Sequence, residues 1–515
     1  MSHPRGILIL DYGSQYTQLI ARRIREQHVY SEIVRYDTSV ADIRSRAPLG
    51  IILSGGPSSV TEPRAPSLPA GLLQLDLPVL GICYGMQLLA QELGGRVESW
   101  GSGEYGMADI RVQKPNSLLQ NVSEHTRVWM SHRDRVTALP SGWIALAATG
   151  NGILAAMTDA EETRLGIQFH PEVSHTVEGE TILRNFLFRV VGADATWTPG
   201  NFVQDQVEKI RQQVGDKKVL VGVSGGVDST VTASLLHRAV GKQAIAVMID
   251  HGLLRKNEAG ECVSALKDGL GVNIHLYDES RRFLERLQGV TDPEEKRKII
   301  GDQFIRSFER VARSFGTIDF LAQGTLYPDV IESGVNFGRG QAAVIKSHHN
   351  VGGLPEDMNL DLVEPLRELF KDEVRNVGRE LGLPESLITR HPFPGPGLAV
   401  RVLGEITPER LEILREADEI YLRILREEGL YQDIWQAFAV LLPVRTVGVM
   451  GDSRTYDCVV ALRAVTSTDG MTADWYPFPE HVLQRISNSI VNSVTGVNRV
   501  VLDITSKPPG TIEWE

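Results

Sequence analysis

Lys218-Val219-Leu220-Val221-Gly222-Val223-Ser224-Gly225-Gly226-Val227-Asp228-Ser229 decides how this chain is read. An apolar run suited to a buried strand meets two glycines, and a helical pattern (Ser229-Thr230-Val231-Thr232-Ala233-Ser234-Leu235-Leu236) follows at once. The turn between them is poor in side chains and lies at a helix N-terminus. Backbone N–H groups there have no intrahelical partner, and the helix dipole favours negative charge. Glycines let the backbone wrap closely round an anion, so the expected guest is a phosphate or pyrophosphate. The lysine that closes G-x-x-x-x-G-K-[ST] is missing, and that string occurs nowhere in the chain. The turn therefore suits a pyrophosphate leaving group, with attack at the α-phosphorus.

Around this turn the composition is that of an ordinary folded protein. The chain has 515 residues, room for about three domains at roughly 150 residues each. Its 42% hydrophobic and 23% charged content is unremarkable. A net charge of −12 argues against a lasting grip on nucleic acid, whose affinity comes largely from neutralised phosphates. The three cysteines, Cys83, Cys262 and Cys458, are far apart, which disfavours a disulfide framework or a zinc ribbon. The apolar run after Gly6 is too short for a signal segment, and no stretch of about 18 apolar residues could span a bilayer. A soluble, cytoplasmic protein is expected.

Three segments follow from the patterning. Up to residue 191, short apolar runs (Ile7–Leu10, Gly50–Leu53, Val79–Ile82) alternate with amphipathic helical patterns (Gln18–Gln27, Met86–Leu93), which predicts an α/β layer with a parallel sheet. Trp197, Pro199 and Gly200 interrupt the pattern. A second α/β unit then runs over 192–390, with strands expected at Lys218–Val223, Gln243–Ile249, Val272–Tyr277 and Phe320–Gln323. The proline-dense Arg390-His391-Pro392-Phe393-Pro394-Gly395-Pro396-Gly397 cannot be helical and is read as a rigid, extended hinge. Residues 391–515 form a small α+β unit. Its strand Val459-Val460-Ala461-Leu462 is apolar on both faces, which suggests cover from outside the unit and hence a homodimer.

A second chemical signature lies in the first segment. Gly81-Ile82-Cys83-Tyr84-Gly85 sets a cysteine between glycines at a strand-to-helix junction, the spacing of the G-x-S-x-G elbow. The helix N-terminus should favour the thiolate. Phe169-His170-Pro171-Glu172 supplies a base: Pro171 keeps His170 extended, so His170 and Glu172 can share one face. His170 would take the Cys83 proton while Glu172 orients the imidazole. Gly55-Gly56-Pro57 follows a strand and offers oxyanion donors, the N–H groups of Gly56 and Tyr84. Taken alone, Cys83 reads as a buried small hydrophobe and His170 as a structural histidine.

Together these strings resemble the class I (triad) glutamine amidotransferases across roughly the first 190 residues. The resemblance implies that Cys83 attacks the glutamine side-chain carbonyl and frees ammonia, with Gln87 and Asp134 falling where that family contacts glutamine. The Ser224–Ser229 turn is similar to the PP-loop of the ATP pyrophosphatase (adenine nucleotide α-hydrolase-like) superfamily, whose members adenylate an oxygen. Further strings resemble the GMP synthase family over nearly the whole length. They are Pro293–Gly301, Gln323-Gly324-Thr325-Leu326-Tyr327-Pro328-Asp329, His391–Arg401 and Ser506–Glu515.

That family likeness implies adenylation of xanthosine monophosphate (XMP) at its 2-oxygen by ATP, then displacement of AMP by ammonia to give GMP. It implies a nucleotide site at Ser224, Gly225, Gly226, Val227, Asp228, Ser229, Thr230, Gly324 and Lys371, with Mg²⁺ on Asp228. It implies XMP contacts from Arg297, Gln436, Lys507 and Glu513, with no tightly bound organic cofactor. Lys371 also reads as part of an exposed salt-bridging helix, and Arg297 as part of a solvated charge run. The Gly-rich stretch Phe337–Leu354 is expected to be a lid, its His348-His349 pair a polar loop. A tail that closes over substrate should order with XMP. Sulfur-transferring tRNA enzymes are disfavoured by the acidic charge and by the neighbours of Cys262 and Cys458. Asparagine-synthetase-like chemistry is disfavoured by Ser2, and a non-catalytic scaffold by the two intact sites.

Overall fold

The computed structural model describes residues 5–333, 360–450, 452–467 and 472–515. The expected lid and its histidine pair lie outside them. The chain divides into two compact units, Met1–Asn201 and Phe202–Glu515.

In the first unit a nine-stranded sheet carries the site. Five strands run parallel in the order Ser31–Arg35, Ile7–Asp11, Gly50–Leu53, Val79–Ile82, Arg164–Ile167. Four antiparallel strands extend it, including a long hairpin, Arg96–Val112 with His125–Ala138, that patterning alone does not announce. The central strands Gly50–Leu53 and Val79–Ile82 are apolar and buried throughout, as expected of a parallel sheet covered on both faces. Their register lines up the C-terminal ends of Gly50–Leu53, Val79–Ile82 and Arg164–Ile167 side by side, where open α/β sheets bind ligands.

The second unit centres on a five-stranded parallel sheet in the order Ile274–Asp278, Ala244–Asp250, Val219–Gly222, Phe320–Ala322, Asp361–Val363. Val219–Gly222 is the strand at which the order reverses, so the glycine turn opens at a topological switch point. A four-stranded sheet follows, dominated by Gln436–Met450 paired with Ser453–Thr466 and covered by helices Pro408–Glu427 and Glu480–Ser493.

Two expectations are revised here. The 390–397 stretch is non-helical, but it is no linker. It leads into a short turn, Gly397–Val400, whose Leu398, Ala399 and Val400 are fully buried, and one apolar core runs from Leu220 through Leu398 to Val497. The strand Val459–Leu462 needs no outside cover. Val460 and Leu462 face that core, while Ala461 packs with Phe438, Val440 and Ile512 of the same chain.

One helix was hidden by its charges. Pro293–Ser314 starts with Asp292 capping the Glu295 N–H at 2.8 Å and Pro293 in the first turn, both strong start signals. Its buried stripe of Ile300, Phe308 and Val311 begins at Lys296, a cation that masks the period. Among the described residues no helix is long and apolar enough to cross a membrane.

Candidate active site

Cys83 links strand Val79–Ile82 to helix Tyr84–Glu92 in a left-handed conformation, φ 52° and ψ −105°. A cysteine holds such a backbone only where its surroundings impose it. They do: a Cβ on Gly81 would lie 2.5 Å from the Gly85 backbone, and one on Gly85 would lie 2.4 Å from the Leu53 carbonyl oxygen. Close packing at both glycines forces the chain to turn at residue 83. The Cys83 N–H donates to the Ile167 carbonyl at 2.8 Å, tying the elbow to the neighbouring strand.

That neighbouring strand leads into His170 and Glu172. His170 Nδ1 lies 2.7 Å from Glu172 Oε1, and both side chains are buried. Burial alone would push the imidazole down. The Glu172 charge and hydrogen bonds to Cys83 and Glu172 outweigh it and hold the ring well above its ordinary value. Gly55 lies against both partners: a Cβ there would meet His170 Cε1 at 3.0 Å and Cys83 Cβ at 3.7 Å. Tyr84 opens the helix, so its N–H has no intrahelical partner. A Cβ on Gly56 would lie 2.7 Å from the Tyr12 carbonyl oxygen, so only glycine fits this turn.

Gln87 and Asp134 are brought together, but largely with each other. The Gln87 amide donates to the Asp134 backbone oxygen at 2.8 Å and to Gln168 Oε1 at 3.2 Å. Its amide donors thus hold the strand that carries Asp134. The Asp134 carboxylate accepts from Ser59 Oγ, a partner the sequence did not single out. Buried His132 also went unnoticed: Nδ1 faces the Asp134 carbonyl at 2.9 Å and Nε2 lies 3.4 Å from Glu104.

In the second unit, Gly225 has φ 79° and Gly226 caps helix Val227–Val240. Ser224 and Ser229 brace the turn: the Ser224 N–H donates to Ser229 Oγ at 3.1 Å, and Thr230 Oγ1 donates to the Gly226 carbonyl at 2.8 Å. Val227 is buried beneath it. Gly324 comes from the next strand's end, where a Cβ would press on Asp228 Cβ at 3.3 Å. Lys371 opens helix Lys371–Glu380 and reaches Asp228 Oδ2 at 2.5 Å, so the lysine does face the loop. Asp228 Oδ1 is buried with no hydrogen-bond partner among the described residues. Arg390, read only as the start of the proline-rich stretch, donates to the Gly225 carbonyl at 3.1 Å and pairs with buried Glu258. Cys262 has its thiol pushed up to about 11 by burial, which makes it inert rather than sulfur-carrying.

The remaining expected residues meet at the C-terminal segment. Gln436 Nε2 donates to Glu513 Oε1 at 2.7 Å, and fully buried Arg401 holds Glu513 with two bonds of 3.0 and 2.7 Å. Arg297 donates to the Glu515 carbonyl at 2.5 Å. Lys507 is tied through its backbone to Ala473, at 2.7 and 3.0 Å. Lys296 reaches Glu515 Oε2 at 2.5 Å, and Arg463 donates to the Thr505 and Thr511 carbonyls. Three fully buried cations, Lys296, Arg401 and Arg463, thus anchor the tail through protein groups.

An elbow cysteine backed by a histidine–carboxylate pair, joined in one chain to a lysine-free glycine turn, defines a glutamine amidotransferase fused to a nucleotide-activating synthetase. Residues 8–190 match the model of class-I glutamine amidotransferases, 200–299 that of NAD synthases, and 423–514 that of the GMP synthase C-terminal domain. Curated relatives are similar over the full length. A GMP synthase [glutamine-hydrolyzing] of Prochlorococcus marinus is 56% identical, covering 99% of this chain and 98% of that protein. One from Thermosynechococcus vestitus is 55% identical over 99% and 96%, and one from Symbiobacterium thermophilum 56% over 100% of both. The chain belongs to the glutamine-hydrolysing GMP synthase family, a ligase family with glutamine as nitrogen donor.

Proposed function

We propose the following division of labour for glutamine-dependent GMP synthesis. Residues 1–191 form the glutaminase, 192–390 the ATP pyrophosphatase, and 391–515 the XMP-binding and dimerising part. In the first, His170 takes the Cys83 proton, the thiolate attacks the glutamine amide carbon, and the N–H groups of Gly56 and Tyr84 receive the oxyanion. His170 returns the proton to the departing ammonia, and water then cleaves the glutamyl thioester. Glu172 holds the ring and stabilises its charged form. Asp134, steadied by Ser59, is the carboxylate available to the glutamine amino group.

In the second segment the β,γ-phosphates of ATP sit on the turn from Ser224 to Thr230, flanked by Gly324 and Lys371. The XMP 2-oxygen attacks the α-phosphorus, pyrophosphate leaves, and ammonia displaces AMP at carbon 2. Arg297 and Lys507 supply cations for XMP, while Gln436 and Glu513 address its base. The orphaned Asp228 Oδ1 fits a single oxygen ligand for Mg²⁺. The described residues hold no cluster of three His, Cys, Asp or Glu for a metal, so phosphates and water would complete the shell. When bound, the ion would neutralise charge on the phosphate oxygens.

The observation that carries this reading is the strained Cys83 backed by His170 and Glu172 in the same chain as a lysine-free Gly225–Gly226 turn. Phosphorus NMR of a reaction with glutamine, ATP, Mg²⁺ and XMP tests it: AMP and pyrophosphate are expected, and ADP with orthophosphate would overturn it. Three free cysteines suit a reducing cytoplasm. A homodimer finds support in Val444, Val447, Val449 and Tyr456, exposed together on one hairpin of the C-terminal sheet. Light scattering checks it, a monomer at micromolar concentration being the contrary result.

A further inference from the structure

Arg390 touches the pyrophosphate turn at its most sensitive bond. Its guanidinium donates to the Gly225 carbonyl at 3.1 Å. A Gly–Gly peptide has no Cβ on either side to resist rotation, and Gly225 already sits at φ 79°. In a trans peptide the carbonyl of residue 225 and the N–H of residue 226 point in opposite directions. Gripping the carbonyl from one side therefore aims the Gly226 N–H to the other, where it faces Ser224 Oγ at 3.4 Å in the exposed mouth of the turn. Were the peptide to flip, a carbonyl oxygen would point into the space meant for phosphates, replacing attraction by repulsion.

Arg390 is itself held firmly. Its side chain pairs with Glu258, which is 3% exposed and also accepts the Arg255 N–H at 2.9 Å. The next residue, His391, is fixed on three sides. Its Nε2 donates to the Tyr431 carbonyl at 2.8 Å, its Nδ1 accepts the Ala437 N–H at 3.1 Å, and its ring stacks on Tyr431 at 3.8 Å. Pro392 then accepts from Gln436, which holds Glu513. Three successive residues thus tie the turn to the end of the unit that carries Gln436 and Glu513.

We propose that Arg390, oriented by Glu258, is a positioning residue for adenylation: it locks the Gly225–Gly226 peptide in the orientation that presents N–H groups to pyrophosphate. This rests on the reading of Ser224–Thr230 as the pyrophosphate site. Arg390 has its charge answered by Glu258 and acts here through the Gly225 carbonyl.

The test uses the full-length enzyme with ammonia as nitrogen source, varying ATP and adding inorganic pyrophosphate as inhibitor. Arg390→Ala should raise the pyrophosphate inhibition constant and the ATP KM on the order of tenfold, the scale of one lost charge-assisted hydrogen bond. The XMP KM should stay unchanged. Arg390→Lys should recover part of the loss, since an ammonium can still donate to the carbonyl. A folded Arg390→Ala enzyme with wild-type pyrophosphate inhibition would overturn the proposal, as would an equal loss in ATP and XMP binding. If Arg390→Ala does not fold, Arg390→Lys and Glu258→Gln carry the same comparison, smaller in size. Failure of the underlying reading looks different: the wild-type enzyme itself would then be indifferent to pyrophosphate.

Discussion

Cys83 and Gly225 each follow the C-terminal end of a parallel strand at a helix N-terminus, yet the chain treats the two places in opposite ways. Around Cys83 everything is closed: the thiol, His170 and Glu172 are all 4% exposed or less, and His170 and Glu172 hold each other. Around Gly225 the turn is open, with Ser224 and Gly226 exposed and the side chains bonded to their own loop. Covalent chemistry needs one atom held at one distance from a base in a dry setting, so side chains do the work there. The multiply charged leaving group proposed for this turn needs many modest donors around a concavity, a task suited to the backbone.

The sharpest way to break this comparison is to remove the side chain that only one site needs. Cys83→Ala should cut glutamine-dependent GMP formation on the order of 10⁴-fold or more and leave ammonia-dependent formation largely intact, measured side by side. Asp228→Ala should abolish both. Loss of the ammonia reaction in a folded Cys83→Ala enzyme would mean the sites are not separable.

Next in size, Glu172→Gln should lower glutaminase turnover about 10²–10⁴-fold. With the carboxylate charge gone, burial dominates and His170 falls, so the limb of the pH–rate profile that reports it should move to lower pH. A limb that stays put would detach Glu172 from the base.

The C-terminal anchors sharpen the contrast from another side. Glu513→Ala leaves fully buried Arg401 without its partner and should destabilise the second unit by about 3 kcal/mol, read from urea unfolding. An unchanged midpoint would show that the pair contributes nothing to stability.

The smallest effect is a pH dependence. His251 and His391 are both held down to about 4, chiefly by burial, from an ordinary 6.5. The unfolded state then binds more protons between those values, so stability is fully present above about pH 6.5 and is lost as pH falls toward 4. Each should cost about 2 kcal/mol by pH 5. His391→Gln should flatten its share of the slope; an equally steep slope in that variant would assign it elsewhere.

Much of both sites was legible because their chemistry is local. An elbow needs small residues beside its nucleophile, and an anion turn needs glycines between a strand and a helix, so Gly81-Ile82-Cys83-Tyr84-Gly85 and Ser224–Ser229 announce themselves over a few residues. The pairing of His170 with Glu172, separated only by Pro171, was readable too, although the two fall in the turn after strand Arg164–Ile167 and not along one extended strand. Residues that act by reaching across the fold were not. Ser59 lies 75 positions from Asp134 and Arg390 lies 165 from Gly225, distances that only strand order can close. Lys296, Arg401 and Arg463 went unremarked because cations usually lie at the surface; here packing buries them, and acidic side chains and carbonyls of a distant tail compensate. The linear order of residues was thus enough to propose the reacting groups and to locate the turns that hold them. Which buried charges meet, which strand ends become neighbours, and whether the segment after residue 390 is a hinge or part of a core were decided by long-range packing, whose partners leave no periodic trace in the chain.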